Sequence, residues 1–407
     1  MKMPQIPDHW SWETLSKLGA SGKPAVKAGP FGSSLKKEFY VASGFRVYGQ
    51  EQVIANNLSL GNYYIDEKKF NDLQSCEVEA GDILVSLVGT FGKSLVVPDV
   101  FEPGIINPRL VRVSLDSNLI DPHFFSLFFK SPLAQFQLDL CSHGGTMNIV
   151  NAKNISELLV PVPPIKEQKR IAEVLARAEE LRSKRREAIA QLDTLIQAIF
   201  LEMFGDPVTN PKGFTIRKIK DLLESASYGT SEKSSSEGEF PVLRMNNITR
   251  TGEIDLTDLK YMDLADSQKE RYLVRHGDVL FNRTNSAELV GKTAIIRNIS
   301  NPMAFAGYLV RLRVNKENDP EYLSAFLNTD YSKRVLRGMC KSIIGMANIN
   351  ATEVQTIKIP QPPLHFQQEF ARRVKAIEKL KVAHRASLSE LDALFASLQH
   401  RAFRGEL

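Results

Sequence analysis

The chain has 407 residues, 43% of them hydrophobic, 24% charged and 8% aromatic, with a net charge of +5. At roughly 100–200 residues per domain this means two or three domains with ample core, and it excludes a disulfide-stapled peptide, a disordered chain and a fibrous one. The longest strongly apolar patch, residues 124–129, stops at Lys130, far short of the roughly 18 residues a membrane-spanning helix needs.

The first residues, 1–12, carry Asp8 and His9 and no apolar stretch, so they do not read as a signal peptide. Cys76, Cys141 and Cys340 are odd in number, far apart and never in CxxC spacing, which writes neither a disulfide framework nor a zinc site and points to a reducing cytoplasm. The mild basic excess permits a polyanionic partner without demanding one.

Residues 1–146 read as a mixed domain, in which short β-rich runs such as 82–88 and 110–115 are punctuated by Gly, Asn and Pro. A proline-rich hinge follows, and after it the period of the sequence changes. Prolines 161, 163 and 164 bar a helix before them, and no Pro or Gly then appears until Gly205. This predicts a long helix reaching about Phe204.

The same order is written a second time at an offset of 199. Residues 147–168 (MNIVNAKNISELLVPVPPIKEQ) and 346–367 (MANINATEVQTIKIPQPPLHFQ) share seven of 22 positions without a gap: Met147/Met346, Asn151/Asn350, Ala152/Ala351, Pro161/Pro360, Pro163/Pro362, Pro164/Pro363 and Gln168/Gln367. Upstream, with small gaps, Gly81-Asp82-Ile83-Leu84 aligns with Gly277-Asp278-Val279-Leu280, Gly92-Lys93 with Gly291-Lys292, and Leu110-Val111-Arg112 with Leu309-Val310-Arg311. The expected parts are a first domain at 1–146, a hinge and central helix at 147–210, a second domain at 211–345, and a hinge and C-terminal helix at 346–407.

Apolar residues in the central helix recur at spacings of four and three: Ile171, Leu175, Ala178, then Ile189, Leu192, Ile196, Ile199, Met203. The C-terminal helix repeats this with Phe370, Val374, Ile377, then Leu388, Leu391, Phe395, Leu398, Ala402. Such a stripe is a coiled-coil seam. Arg182 and Arg185 interrupt the first seam, Lys381 and His384 the second, at matching register positions.

A parallel pairing would stack these cations together, whereas an antiparallel one sets the arginines near Leu388 and Leu391, along which their stems can lie. An antiparallel coiled coil is therefore expected; the alternative is that each helix packs on its own globular domain. Helices of about 38 residues, roughly 57 Å at about 1.5 Å per residue, would carry the two domains at opposite ends and span about one and a half turns of duplex DNA.

The phrases Gly29-Pro30-Phe31-Gly32-Ser33-Ser34-Leu35, Tyr228-Gly229-Thr230-Ser231 and 242–248 (VLRMNNI), together with the duplicated hinge and its Gln168 and Gln367, resemble the specificity subunits of type I restriction-modification enzymes over essentially the whole chain. The resemblance implies an α+β architecture of two tandem target recognition domains, each a mixed β-sheet with helices, separated by two long helices. It also implies sequence-specific binding of a split, asymmetric duplex DNA target, one recognition domain per half-site, with the coiled coil fixing the gap. Catalysis would then lie elsewhere: methylation in two methyltransferase subunits and ATP-dependent cleavage in restriction/translocase subunits. S-adenosylmethionine, ATP and Mg are expected in those partners and no cofactor in this chain. The recognition loops differ, GPFGSSLKKEFY against YGTSEKSSSEGEF, which predicts different half-sites.

DNA readout needs cations for phosphates and amide or guanidinium forks for base edges. In the first domain the candidates are Ser33, Ser34, Lys36, Lys37, Tyr48, Gln50, Ser86, Thr90 and Lys93. In the second they are Thr230, Ser231, Lys233, Arg244, Asn246, Asn247, Arg283, Asn285, Ser286 and Lys292. The lysines suit the backbone, whereas Arg283, Asn285 and Gln50 suit bases. Val174, Leu181, Leu195 and Phe200 fall outside the seam and are candidates for docking partner helices. The cluster Lys184-Arg185-Arg186 is either a polar coiled-coil face or a phosphate contact.

Residues 89–94 (GTFGKS) and 291–293 (GKT) mimic the end of a P-loop, yet the glycine required five residues earlier is Leu87 or Ser286. The turns suit phosphate capture in DNA binding equally well. The seven histidines are scattered without HExxH, no Asn-Pro-Pro-Tyr type methylation motif occurs, and no metal or catalytic site is expected. Two alternatives remain. One is the DNA-recognition part of a fused methyltransferase or nuclease, for which both repeats leave no room; the other is a protein-binding assembly scaffold, which a weak salt dependence would distinguish from DNA binding.

Overall fold

The structure is a computed structural model describing residues 3–87, 92–141, 151–286, 288–297, 299, 301–343 and 346–407. The chain divides into two compact units, residues 1–184 with 388–407, and residues 185–387. Each therefore contains one of the two mixed α/β domains, expected from the resemblance to be a recognition domain, and a stretch of both long helices, Ile165–Phe204 and Leu364–Ala402.

In the first unit an antiparallel sheet runs in the order Val26–Ala28, Leu110–Val113, Ile83–Ser86, Ser94–Val96. A second sheet holds Tyr40–Val41, Tyr64–Ile65, Phe45–Tyr48 and Gly104–Ile106, the last two parallel. Because side chains alternate across a strand, Ile83–Ser86 serves two cores at once. Leu84 joins Val47, Ile65, Ile105 and Ile106, while Ile83 and Val85 join the phenylalanines of helix Pro122–Phe129. That second core also takes in Ile171, Ala172 and Leu175 of the central helix and Ala402 of the C-terminal one.

The second unit repeats the plan, with sheets ordered Leu223–Tyr228, Leu309–Val314, Val279–Asn282, Thr293–Ile295 and Lys260–Met262, Phe240–Leu243, Ala304–Phe305. Val279 and Phe281 face the helices, and Leu280 faces the smaller sheet.

Each hinge is tied down by its repeated glutamine. Gln168, wholly buried, donates from Nε2 to the carbonyls of Leu119 (2.9 Å) and Pro163 (2.7 Å) and accepts from the Asp121 amide (2.7 Å). Gln367 does the same with Asn318 Oδ1 (3.1 Å), the Pro362 carbonyl (2.8 Å) and the Asp319 amide (2.8 Å). A buried amide satisfied on both sides is costly to replace, which is why both copies keep it. The repeated asparagines, Asn151 and Asn350, each cap a short helix.

Within each unit the helix segments run antiparallel. In the second unit Arg185 meets His384 (2.6 Å), Asp193 meets Lys381 (2.5 Å) and Phe200 meets Phe370 (ring centroids 5.8 Å apart), so one number rises as the other falls. In the first, Arg182 bonds Asp392 (2.6 Å) and lies 4.3 Å above the Phe395 ring. The predicted direction holds, and this register sets Arg182 and Arg185 along the stretch that carries Leu388 and Leu391. Arg185 also meets His384, its guanidinium N–H donating to the ring nitrogen Nδ1. Packing on the globular domains and packing between helices occur together, since both helices enter the same cores.

Candidate nucleic-acid interface

Each recognition loop leaves its sheet through a glycine that admits no side chain. A Cβ on Gly29 would lie 1.9 Å from the Asn107 carbonyl oxygen, and one on Gly229 would lie 2.3 Å from that of Phe305. The backbone of the loop is thus pressed onto a neighbouring turn, and the residues after it project outward. In the first domain Phe31 is 87% exposed, and Ser33, Lys36, Lys37 and Lys93 are exposed with Ser34 partly so. Thr90 lies outside the described residues. Ser231, Lys233, Asn246 and Ser286 are exposed in the second domain.

A second feature appears in both domains, where a strand end meets a short helical turn. Gln50 opens helix Gln50–Ala55 and donates from Nε2 to Ser86 Oγ (2.8 Å), bringing together two candidates 36 residues apart. At the corresponding place, Lys292 Nζ donates to the Met245 carbonyl (2.9 Å). Burial, with Arg250 nearby, pushes the Lys292 ammonium below the ordinary lysine range. The buried Asn247 braces this turn, accepting from the Arg244 amide (2.9 Å) and donating to the carbonyls of Asp255 (2.8 Å) and Asp258 (2.9 Å). Arg244 is drawn to Asp258 at 2.8 Å. Asn285 pairs with Ala347 in a small sheet and accepts from the Ser286 amide (2.9 Å).

Four candidates are interior residues and are withdrawn as surface contacts. Tyr48 is a core side chain whose Oη donates to the Glu102 carbonyl (2.5 Å), Ser86 is buried beneath Gln50, Thr230 is buried beside Ala306, and Asn247 is the brace just described. Of the docking residues, Val174, Leu181 and Leu195 are exposed, whereas Phe200 is 1% exposed and stacks on Tyr322 at 5.6 Å. Phe200 lies at the end of the helix where the stripe must face both a partner helix and the domain, so it belongs to the core.

Sequence reasoning missed Lys333. It donates to the Gly291 carbonyl (2.7 Å) and to Asn328 Oδ1 (2.8 Å), and burial, with Arg337 and Lys292 close by, lowers its ammonium to about 7. It also missed Glu253, a loop carboxylate paired with Lys381 and Arg385 of the C-terminal helix, for which no motif gives a signal. Among the described residues no group of three His, Cys, Asp or Glu side chains is set to hold a metal, and no helix is long and apolar enough to cross a membrane.

Residues 29–191 and 211–391 both match the type I restriction modification DNA specificity domain. The chain belongs to this family. It is 25% identical over 308 residues to the EcoKI specificity subunit of Escherichia coli K12, a match covering 71% of this chain and 66% of that subunit. With the putative MjaX specificity subunit of Methanocaldococcus jannaschii it shares 28% over 207 residues, 48% of each chain. The matches therefore span two thirds or less of these two relatives. The crystal structure of the type I restriction-modification S subunit from M. genitalium shares the fold, with a TM-score of 0.56 at 16% identity and 99% of both chains covered. A structure from work on complex assembly of the type I system superposes with a TM-score of 0.57 at 19% identity, covering 99% of this chain and all of that one.

Proposed function

We propose that this chain is the DNA-reading, non-catalytic specificity subunit of a type I restriction-modification complex. Its first recognition domain reads one half of a split duplex target, its second reads the other, and the long helices set the gap. The observation that carries this is one fold built twice: the same pressed glycines and buried glutamines recur, but the loops they hold differ in sequence. Repetition of the scaffold gives two equivalent positions on DNA, and unlike loops give two different half-sites.

The exposed lysines, Lys36, Lys37, Lys93 and Lys233, suit phosphates, while Gln50, Asn246, Asn285 and Arg283 suit base edges. Methylation and ATP-driven cleavage belong to partner subunits, two methyltransferases and the restriction/translocase subunits. Those partners supply S-adenosylmethionine, ATP and Mg, and the exposed Val174, Leu181 and Leu195 offer apolar contacts to their helices. The complex works on duplex DNA in the cytoplasm.

Selection from random duplexes with the chain in complex with its methyltransferase should recover a split consensus. One heptad inserted into each long helix, at 184/185 and 387/388, should lengthen the tolerated gap by about three base pairs, from roughly 10.5 Å of added helix at about 1.5 Å per residue. Half-site identities should not change. An unaltered gap would show that the helices do not set it, and recovery of no split consensus would end the proposal.

A further inference from the structure

Five arginines of the second recognition domain are not fully exposed: Arg244, Arg283, Arg297, Arg311 and Arg313. Four of them face a carboxylate, Arg244 with Asp258, Arg297 with Glu321, and Arg311 and Arg313 with Asp278. Arg283 has no acid among the described residues. Its terminal nitrogens reach the Gly307 carbonyl and Asn348 Oδ1 only at 3.4 Å each, and its Nε, like those of Arg244 and Arg311, is buried without a partner.

A guanidinium carries five N–H donors, and leaving several of them unmet in a half-buried site is unfavourable unless a ligand completes them. The group lies over the plane of the Tyr228 ring, its carbon 4.9 Å from the ring centre. Tyr228 and the neighbouring Tyr308 are 39% and 52% exposed, so this plane lies at the surface. Tyr228 is itself fixed, because its Oη accepts the Ala351 amide (2.9 Å). It also immediately precedes the pressed Gly229 at the root of the recognition loop.

We infer that Arg283 is a specificity-determining residue that reads the O6/N7 edge of a guanine in the half-site of the second recognition domain. A phosphate needs only charge, which the exposed lysines provide; a stacked, planar and under-bonded fork supplies direction, and the guanine edge presents two acceptors in one plane. In the first domain the corresponding position after the strand is Leu87, so the fork belongs to one half-site alone.

This inference rests on the DNA-reading function proposed above, and the test separates the two. The complete complex with its methyltransferase subunits is put through duplex selection as wild type, Arg283→Gln and Arg283→Lys. A split consensus from the wild type tests the function; the variants then test the residue. Arg283→Gln should lose preference for guanine at one position of one half-site by roughly 5- to 150-fold, and Arg283→Lys, whose ammonium can still reach O6 and N7, should keep part of that preference. The other half-site should be kept, which shows that the variants are folded. An unchanged consensus overturns the inference, whether affinity is intact or falls equally for all sequences as at a phosphate contact. Loss of both half-sites together overturns it as well, by marking Arg283 as a support of the fold.

Discussion

Replacing Lys381 with alanine should lower the free energy of unfolding by about 3 kcal/mol, toward the low end of what removing one partner of a buried ion pair costs. Lys381 is 1% exposed, and its ammonium lies between Asp193 of the central helix (2.5 Å), Glu378 one turn back (3.2 Å) and Glu253 of the recognition domain. Removing the cation leaves three carboxylates facing one another, of which Glu253 alone keeps a cation among the described residues, Arg385. They remain about a fifth exposed, which lets water screen them and keeps the loss from being larger.

Acid should remove the same contribution. Burial raises the Glu253 carboxyl, but hydrogen bonds from Arg385 and Lys381 outweigh it and hold the group below the usual glutamate range. A depressed acid stabilises above its unfolded value and loses that stabilisation as the pH falls through the folded one. Burial likewise lowers Lys381, and its bonds to Asp193 and Glu253 outweigh that and hold it above the usual range. It stabilises below the unfolded lysine value and ceases to as the pH rises through its folded one. The contribution is thus full between about pH 5 and 10. Urea unfolding should show a constant difference between wild type and Lys381→Ala within this range and convergence as the pH falls below about 5; equal stability at neutral pH would refute the role.

Phe200→Ala should cost about 3–5 kcal/mol, as expected for emptying a phenylalanine site in a packed core. Its ring lies 5.1 Å from Phe204, 5.6 Å from Tyr322 and 5.8 Å from Phe370, joining the end of the central helix to the recognition domain and to the start of the C-terminal helix. A residue used only to dock a partner would instead leave stability unchanged and weaken assembly. Urea unfolding of the isolated chain distinguishes the two: a loss under about 1 kcal/mol would return Phe200 to the surface.

The helices were legible because a stripe at spacings of four and three has one explanation over 40 residues, and the cations that interrupt it decide direction. The hinge was legible for a similar reason, since Gln168 and Gln367 do the same hydrogen-bonding work twice. The contact of Arg185 with His384 was not legible, because two basic side chains are not expected to pair from residue type alone. Nor was burial at strand ends. Ser86 ends a strand, Thr230 follows Gly229 and Asn247 ends a short helical turn; as small polar residues beside loops they fit the description of a surface contact, and only the strand's alternation and the neighbouring turns place them inside. Phe200 was misjudged because its part of the helix buries two faces, so a residue off the seam still meets a core.

The most direct test exchanges the first recognition domain. Substituting residues 1–146 with the corresponding segment of a specificity subunit of different target, then selecting duplexes with the assembled complex, should change one half-site, leaving the other half-site and the gap as in wild type. A change in both half-sites, or in neither, would contradict the assignment of one half-site to each domain.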